Sequence, residues 1–318
     1  MWFKNLQTYK FDEKFPLTAE ELTAKLELFQ YKPCTSMLPK SIGFVAPISK
    51  DTNASLVHAI MDFFMICLAV EEKIVPSGVV KQELEEKIAL IEKEQSRKVY
   101  KKEKDNLQEE IYQQLLPRAF SKKTFIFAYI DKKCDYLVVN TASSSKAEDT
   151  LVFLRKALGS LKVSLLETCE VGKTMTNWIL HDQYPAELVI SDSCVLKDHK
   201  EHGGTIRCQK QNILAKDIKS LMEESREVKQ LSLIWQDKIA FNLKTDFSIT
   251  SMKFLELIQD QAKDTFTETA QAKFDADFGI MSGTLREFLN YLSDLFAPKN
   301  TASHKDTAQN TKSTMAVE

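Results

Sequence analysis

EEKIVPSGVVKQELEEKIALIEKEQSRKVYKKEKDNLQEEIYQQLLPRAF, residues Glu71 to Phe120, is the stretch on which the architecture turns. Pro76, Ser77 and Gly78 supply a turn, and neither Gly nor Pro follows until Pro117. Between those stops Val80, Leu84, Ile88, Ile91, Leu107, Ile111 and Leu115 recur at helical spacing. A continuous helix from Val79 to Leu116 would run roughly 55 Å at ~1.5 Å per residue, further than one small core can cover. Its middle is polar. Between Glu92 and Asn106 only Val99 and Tyr100 are apolar, and Lys93, Arg97, Lys98, Lys101, Lys102 and Lys104 face just Glu94, Glu103 and Asp105. A helix with so little to bury projects into solvent or bends back as a hairpin. Two roles suit it: a solvated surface helix with ordinary charge pairs, or a basic arm that touches a polyanion.

Working outward, Trp2 to Phe11 reads as a strand, and Pro16-Leu17-Thr18 caps a helix from Ala19 to Phe29. Ile42 to Ala46 is a short apolar piece among prolines, and Phe63 to Val70 is a buried strand. After Pro117, Thr124 to Ile130 and Tyr136 to Thr141 form a hairpin, followed by a helix from Lys146 to Leu158 that Gly159 stops. Val163 to Leu166 is a strand and Thr174 to Leu180 a short helix.

A second body begins near Leu188, with strands at Leu188–Ile190 and Thr205–Gln209 and a helix from Ile213 to Glu224. A meander of Gln230–Trp235, Ile239–Leu243 and Ser248–Phe254 comes next, then helices at Leu255–Lys263, Thr267–Phe274 and Gly283–Leu295. The fold class is α+β, with mixed antiparallel sheets, helices and one long projecting helical arm. Residues 1–75 and 121–170 make a central domain, 76–120 the arm, 171–297 a second domain, and 298–318 a disordered tail.

At 318 residues, 43% hydrophobic and 28% charged, the chain has material for two or three cores. Its formal net charge is −2, so any nucleic-acid binding must come from local clustering of Lys and Arg. Phe63 to Val70 is too short to span a bilayer, and MWFKNLQTYKF lacks the apolar core of a signal peptide. The 6 cysteines include no CxxC pair and read as reduced thiols of a cytoplasmic protein.

Motifs for chemistry fall away one by one. Gly172-Lys173-Thr174 lacks the earlier glycine of a phosphate-binding loop, since position 167 is Glu, and 8 glycines in the whole chain leave no nucleotide cradle. Cys194, His199, His202 and Cys208 match no common zinc spacing, and no cofactor or metal is expected. Asp275 and Asp277 in KFDADF are paired carboxylates of the kind that hold catalytic cations, yet they alternate with Phe274, Ala276 and Phe278 as a half-buried segment would. Phe120 follows a helix stop among Arg118, Lys122 and Lys123, where it either folds back on the helix base or stands as an exposed anchor. Arg207, Lys210 and Gln211 form a second polar cluster able to meet phosphates or a partner chain.

WFKNL at Trp2, EEKI-PS at Glu71, KQ-LE-KI at Lys81, LLPRAF at Leu115, KAEDTL--LRK-LGSL at Lys146, GG-IR--KQ at Gly203 and FDADF at Phe274 together resemble the RdgC family of recombination-associated proteins. The resemblance runs in order from Trp2 to about Leu295. It implies a bacterial protein of the cytoplasm and nucleoid that binds double-stranded DNA, and also single-stranded DNA, without marked sequence preference; the lack of a catalytic constellation in the residues adds the expectation that it is not an enzyme. It further implies a homodimer closed into a ring with a positively lined hole, and antagonism of the recombinase RecA. By the same resemblance Arg118, Phe120, Lys210 and Gln211 serve ring closure and DNA binding. Two other readings stay open: a metal-dependent nuclease using Asp275 and Asp277, and a protein-binding scaffold built on the long helix.

Overall fold

Most strands and helices form where hydrophobic spacing puts them, in a computed structural model that describes residues 2–48, 54–198, 203–223, 226–264 and 269–298. These residues divide into two compact units. The first, up to Ser164 together with Ile258–Ser282, contains β1 (Gln7–Phe11), α1 (Ala19–Glu27), β2 (Lys40–Val45), β3 (Val57–Ile60) and β4 (Phe63–Ile74). Next come α2 (Ser77–Gln95), α3 (Lys101–Leu115), β5 (Phe120–Asp131), β6 (Tyr136–Val139), α4 (Ser144–Leu158) and β7 (Val163–Leu165).

The sheet runs β2-β4-β5-β6-β1-β7, with β3 also on β4. One face packs Ile66, Leu68, Ile126 and Ala128 under Leu22 and Leu26 of α1 and Leu151 and Leu154 of α4. Thr18 and Glu21 close a reciprocal cap on α1, while Ser143 caps α4 and Gly159 (φ 81°) ends it. The other face packs Phe63 and Tyr129 against Phe3 and Phe278, with ring centroids 5.7 to 6.3 Å apart. Cover on both faces explains the unbroken apolar run from Phe63 to Val70.

β4 does not stop at Val70. It continues through Glu71, Glu72, Lys73 and Ile74, beyond the covered core, because β5 meets it with complementary charges. Glu71 opposes Lys123, Glu72 opposes Lys122, and Ile74 opposes Phe120.

The single long helix is replaced by two, the hairpin alternative. Ser96 takes a left-handed backbone (φ 48°) after α2, and the chain returns as α3. The cause is the distribution of apolar side chains. Leu84, Ile88 and Ile91 on α2 and Leu107 and Ile111 on α3 are half-buried or buried, and Val99 is buried in the connection. Folding back gives each short stripe the other to cover, which a straight helix could not. Lys87 and Glu110 bridge the pair at 3.0 Å.

The second unit contains α5 (Val171–His181), β8 (Leu188–Asp198), β9 (Thr205–Cys208), α6 (Lys216–Glu223), β10 (Arg226–Trp235), β11 (Ile239–Lys244) and β12 (Ile249–Phe254). Its sheet runs β12-β11-β10-β8-β9, antiparallel throughout and including the expected meander. Then come α7 (Glu256–Asp264) and α8 (Ala270–Leu295), of which residues 258–264 and 270–282 belong to the first unit. One face of this sheet is closed by Phe288, whose ring lies 5.3 Å from Trp235 and 4.7 Å from Phe241.

Two expected helices, Thr267–Phe274 and Gly283–Leu295, prove to be one α8 that runs through the FDADF segment and through Gly279 and Gly283; Thr267 lies outside the described residues. Burial of Phe278, Met281, Leu285, Phe288, Leu289 and Leu292 along it outweighs the roughly 1 kcal/mol that each glycine costs a helix interior. Of the expected tail, 298–318, residues 299–318 lie outside the described residues. Among the described residues no helix is long and apolar enough to cross a membrane.

Candidate nucleic-acid interface

On the first unit, Lys93 lies in the last turn of α2, Arg97 and Lys98 lie in the connection, and Lys101, Lys102 and Lys104 occupy the start of α3. Val99 holds the turn in place, its N–H donating to Glu92 Oε1 at 3.0 Å. Arg97 is engaged: both terminal nitrogens donate to the Glu103 carboxylate at 2.7 Å, and Nε donates to Gln95 Oε1 at 2.7 Å. Those shared hydrogen bonds raise the Arg97 pKa and lower that of Glu103. Lys93, Lys98, Lys101, Lys102 and Lys104 are exposed and, among the described residues, make no ion pair.

Their placement runs against local preference. Tyr100 begins α3 with no side-chain cap, so the helix presents open N–H groups at the end where its dipole is positive. A cation in that first turn is disfavoured by about 0.3–1 kcal/mol. Three lysines there make an end that attracts anions.

At the base of the hairpin, Arg118 is exposed in a 3-10 turn and Phe120 is 87% exposed, opposite Ile74 at 49%. Phe120 therefore does not fold back into a core. Lys122 faces Glu72, which also pairs with Lys40 at 3.2 Å. Lys123 sits 3.7 Å above the Tyr31 ring, a cation–π contact that occupies it.

Beneath them lies a hub with no signature in the linear sequence. Gly43 lets the chain approach so closely that a Cβ there would run into the Tyr31 backbone. So placed, Tyr31 donates its hydroxyl to Glu71 at 2.6 Å, Ser121 donates at 2.6 Å, and the Cys34 N–H donates at 2.8 Å. Hydrogen bonds from Ser121, Tyr31 and Cys34, in that order, hold the Glu71 pKa down at about 2, below the ordinary 4.5. Burial first, and then Glu71, push the Tyr31 hydroxyl upward.

A depressed carboxylate stabilises the fold fully above its unfolded pKa and loses that contribution as pH falls through its folded one. For Glu71 the window is from 4.5 down to about 2. Solvent screening of this partly exposed group reduces the contribution to about 1 kcal/mol. Glu71→Gln is expected to flatten the drop in Tm between about pH 6 and pH 3. An acid profile parallel to that of the unaltered protein would show that the hub contributes nothing.

On the second unit, Arg207 is exposed on β9. Lys210 adopts a left-handed backbone (φ 55°), and the Gln211 N–H donates to the Asp192 carbonyl at 3.3 Å. Lys210, Gln211, Ser191 and Asp192 line a shallow polar depression of mixed charge.

Residues considered for other chemistry do not converge. Asp275 and Asp277 are two apart on α8 and so point to different sides of it, where an alternating extended segment would have aligned them. Asp275 Oδ1 lies 3.1 Å from His58 Nε2, whose ring stacks edge-on to Phe274 at 5.3 Å. Burial lowers the His58 pKa, with Asp275 opposing. Cys194 and Cys208 are direct cross-strand partners, both buried, and burial pushes the Cys194 thiol upward, away from the thiolate a metal needs. His199 and His202 lie outside the described residues. Among those described, no cluster of three or more His, Cys, Asp or Glu could hold a metal ion. Gly172 serves packing, since a Cβ there would meet the Glu227 carboxylate, and Lys173 pairs with Glu170.

Comparison with known proteins gives a consistent result. The family profile described as "Putative exonuclease, RdgC" matches residues 1–298. A protein of Pseudomonas putida named "Recombination-associated protein RdgC" is 41% identical over 294 residues, covering 92% of this chain and 96% of that protein. Proteins of the same name from Pseudomonas fluorescens and Psychromonas ingrahamii are 39% identical over 303 residues (95% and 99% covered) and 38% identical over 290 (91% and 96%).

Proposed function

This chain belongs to the RdgC family, and from that premise we propose that it grips DNA without reading its sequence and restrains recombination. Two copies close around the duplex as a ring, through Phe120 at the hairpin base and through the Lys210–Gln211 loop. Duplex held in that way is denied to RecA, so strand exchange slows. Single-stranded DNA offers the same phosphates and is bound as well. The protein works in the cytoplasm at the nucleoid, and it holds DNA without breaking bonds in it.

One observation carries most of this. Lys93, Lys98, Lys101, Lys102 and Lys104 cluster, without an ion pair among the described residues, around an uncapped helix start. In a chain with net charge −2, so local a concentration of positive charge suits a phosphate backbone better than an apolar partner surface.

Duplexes of unrelated sequence, titrated at several salt concentrations, provide the test. With six to eight phosphates neutralised, log K is expected to fall with log salt at a slope of about −5 to −7. The DNA should be recovered intact after incubation with magnesium or manganese. Salt-insensitive binding would favour a protein-binding scaffold, and cleavage abolished by Asp275→Asn would favour a nuclease.

A further inference from the structure

The open face of the second sheet carries a groove that the function above does not use. One row crosses four strands: Lys244 on β11 opposes Gln230 on β10, Gln230 opposes Val195 on β8, and Val195 opposes Arg207 on β9. Directly opposed residues share a face, so Lys244 and Arg207 stand at the two ends of a floor made by Gln230 and Val195. Three strand spacings of ~4.8 Å set their backbones about 14 Å apart. The groove has a volume of about 400 Å³, and Gln209 and Lys229 also line it.

Lys229 is there because of an irregularity. Pairing between β10 and β8 skips from Val228 to Gln230, leaving Lys229 as the extra residue of a bulge. Bulges re-aim side chains, and this one puts a third cation into the groove where a regular strand would have placed one lining residue. Lys229 pairs with Glu227 at 2.7 Å. Arg207 and Lys244 make no ion pair among the described residues. Asp246, the one acid among the described lining residues, already accepts from the Ser248 N–H at 3.0 Å and its hydroxyl at 2.6 Å. Gln209 and Gln230 add neutral amide donors suited to phosphate oxygens.

We infer that this groove is a second nucleic-acid contact, taking the sugar–phosphate backbone of one strand laid across β11, β10, β8 and β9. Two cations about 14 Å apart at the backbone are badly placed to grip a single phosphate together but can hold phosphates further along one strand. That spacing favours a polymer over free phosphate. The inference rests on the DNA-binding function proposed above and adds Lys229 and Lys244 to the residues that serve it.

The test is the double variant Arg207→Gln/Lys244→Gln, beside the charge-keeping pair Arg207→Lys/Lys244→Arg. With two phosphate contacts removed, the salt slope of duplex binding is expected to become shallower by about 2. The charge-keeping pair should restore it, and both variants should melt with the unaltered protein. Inorganic phosphate at matched ionic strength should not displace duplex; displacement would reassign the groove to the free anion. An unchanged slope in the glutamine variant, with normal binding by the unaltered protein, would overturn the groove alone. No duplex binding by the unaltered protein would overturn the groove and the DNA-binding function together.

Discussion

Replacing Lys98, Lys101 and Lys102 with glutamate is expected to lower duplex affinity about 100- to 1,000-fold at ~0.1 M salt, and to make the salt slope shallower by about 3. Each neutralised phosphate contributes about 0.9 to that slope, which at ~0.1 M amounts to nearly a factor of ten per contact. Stability should move the other way. Lys101 and Lys102 lie in the first turn of α3, where glutamate suits the helix dipole by about 0.3–1 kcal/mol and lysine opposes it. The variant is therefore expected to melt at or slightly above the temperature of the unaltered protein while losing DNA. Fluorescence anisotropy at several salt concentrations and a thermal melt on the same preparation decide the matter. Full affinity would mean that the hairpin turn faces away from DNA. A sharp drop in Tm would mean that these lysines make contacts their exposure does not suggest.

Phe120→Ser is expected to leave the fold intact and weaken one subunit contact by about 30-fold. The side chain is 87% exposed, so its removal should change stability by no more than about 0.5 kcal/mol. A closed ring of two identical chains has two contacts, each a patch meeting its own copy across a two-fold axis. An aromatic anchor at the centre of such a patch is worth ~2 kcal/mol or more, which is the stated factor. Ile74, directly opposite and half exposed, would widen the same patch. The variant should remain dimeric through the second contact, bind duplex poorly and no longer inhibit strand exchange by RecA. Sedimentation at several concentrations, duplex binding and a melt test this together. Self-association and DNA binding at full strength would remove Phe120 from any interface.

Much of the architecture is legible because local physics and tertiary packing agree. The apolar run Phe63–Val70, the Thr18 and Ser143 caps and the Gly159 stop each declare an element and its end. What misleads is structure that depends on distant partners. β4 and β5 extend past their central apolar run because charges about fifty positions apart meet in register. The break at Ser96 follows from two half-stripes covering each other, which no linear window reveals. FDADF alternates with period two and still lies on a helix, because burial of Phe278 and its neighbours further along α8 decides the conformation.

The same division applies to the sites. The lysines of the hairpin cluster visibly in the chain, whereas Arg207, Lys229 and Lys244 come to line one groove only through the strand order and a bulge. Residues 258–282 join the first unit for a similar reason, since Phe278 reaches Tyr129 and Phe63 across a long sequence separation.

The junction where Ile74 faces Phe120 also bears on how such a protein can diversify. Twelve cross-strand partners between β4 and β5 fix both ends of the α2–α3 insertion side by side, whatever lies between them. Adding or deleting one turn in each helix would shift the lysine-bearing end by about 5.4 Å and leave the sheet as it is. Reach is thus a dimension that lineages can adjust in whole helical turns, like the marks on a ruler, separately from the body that carries it.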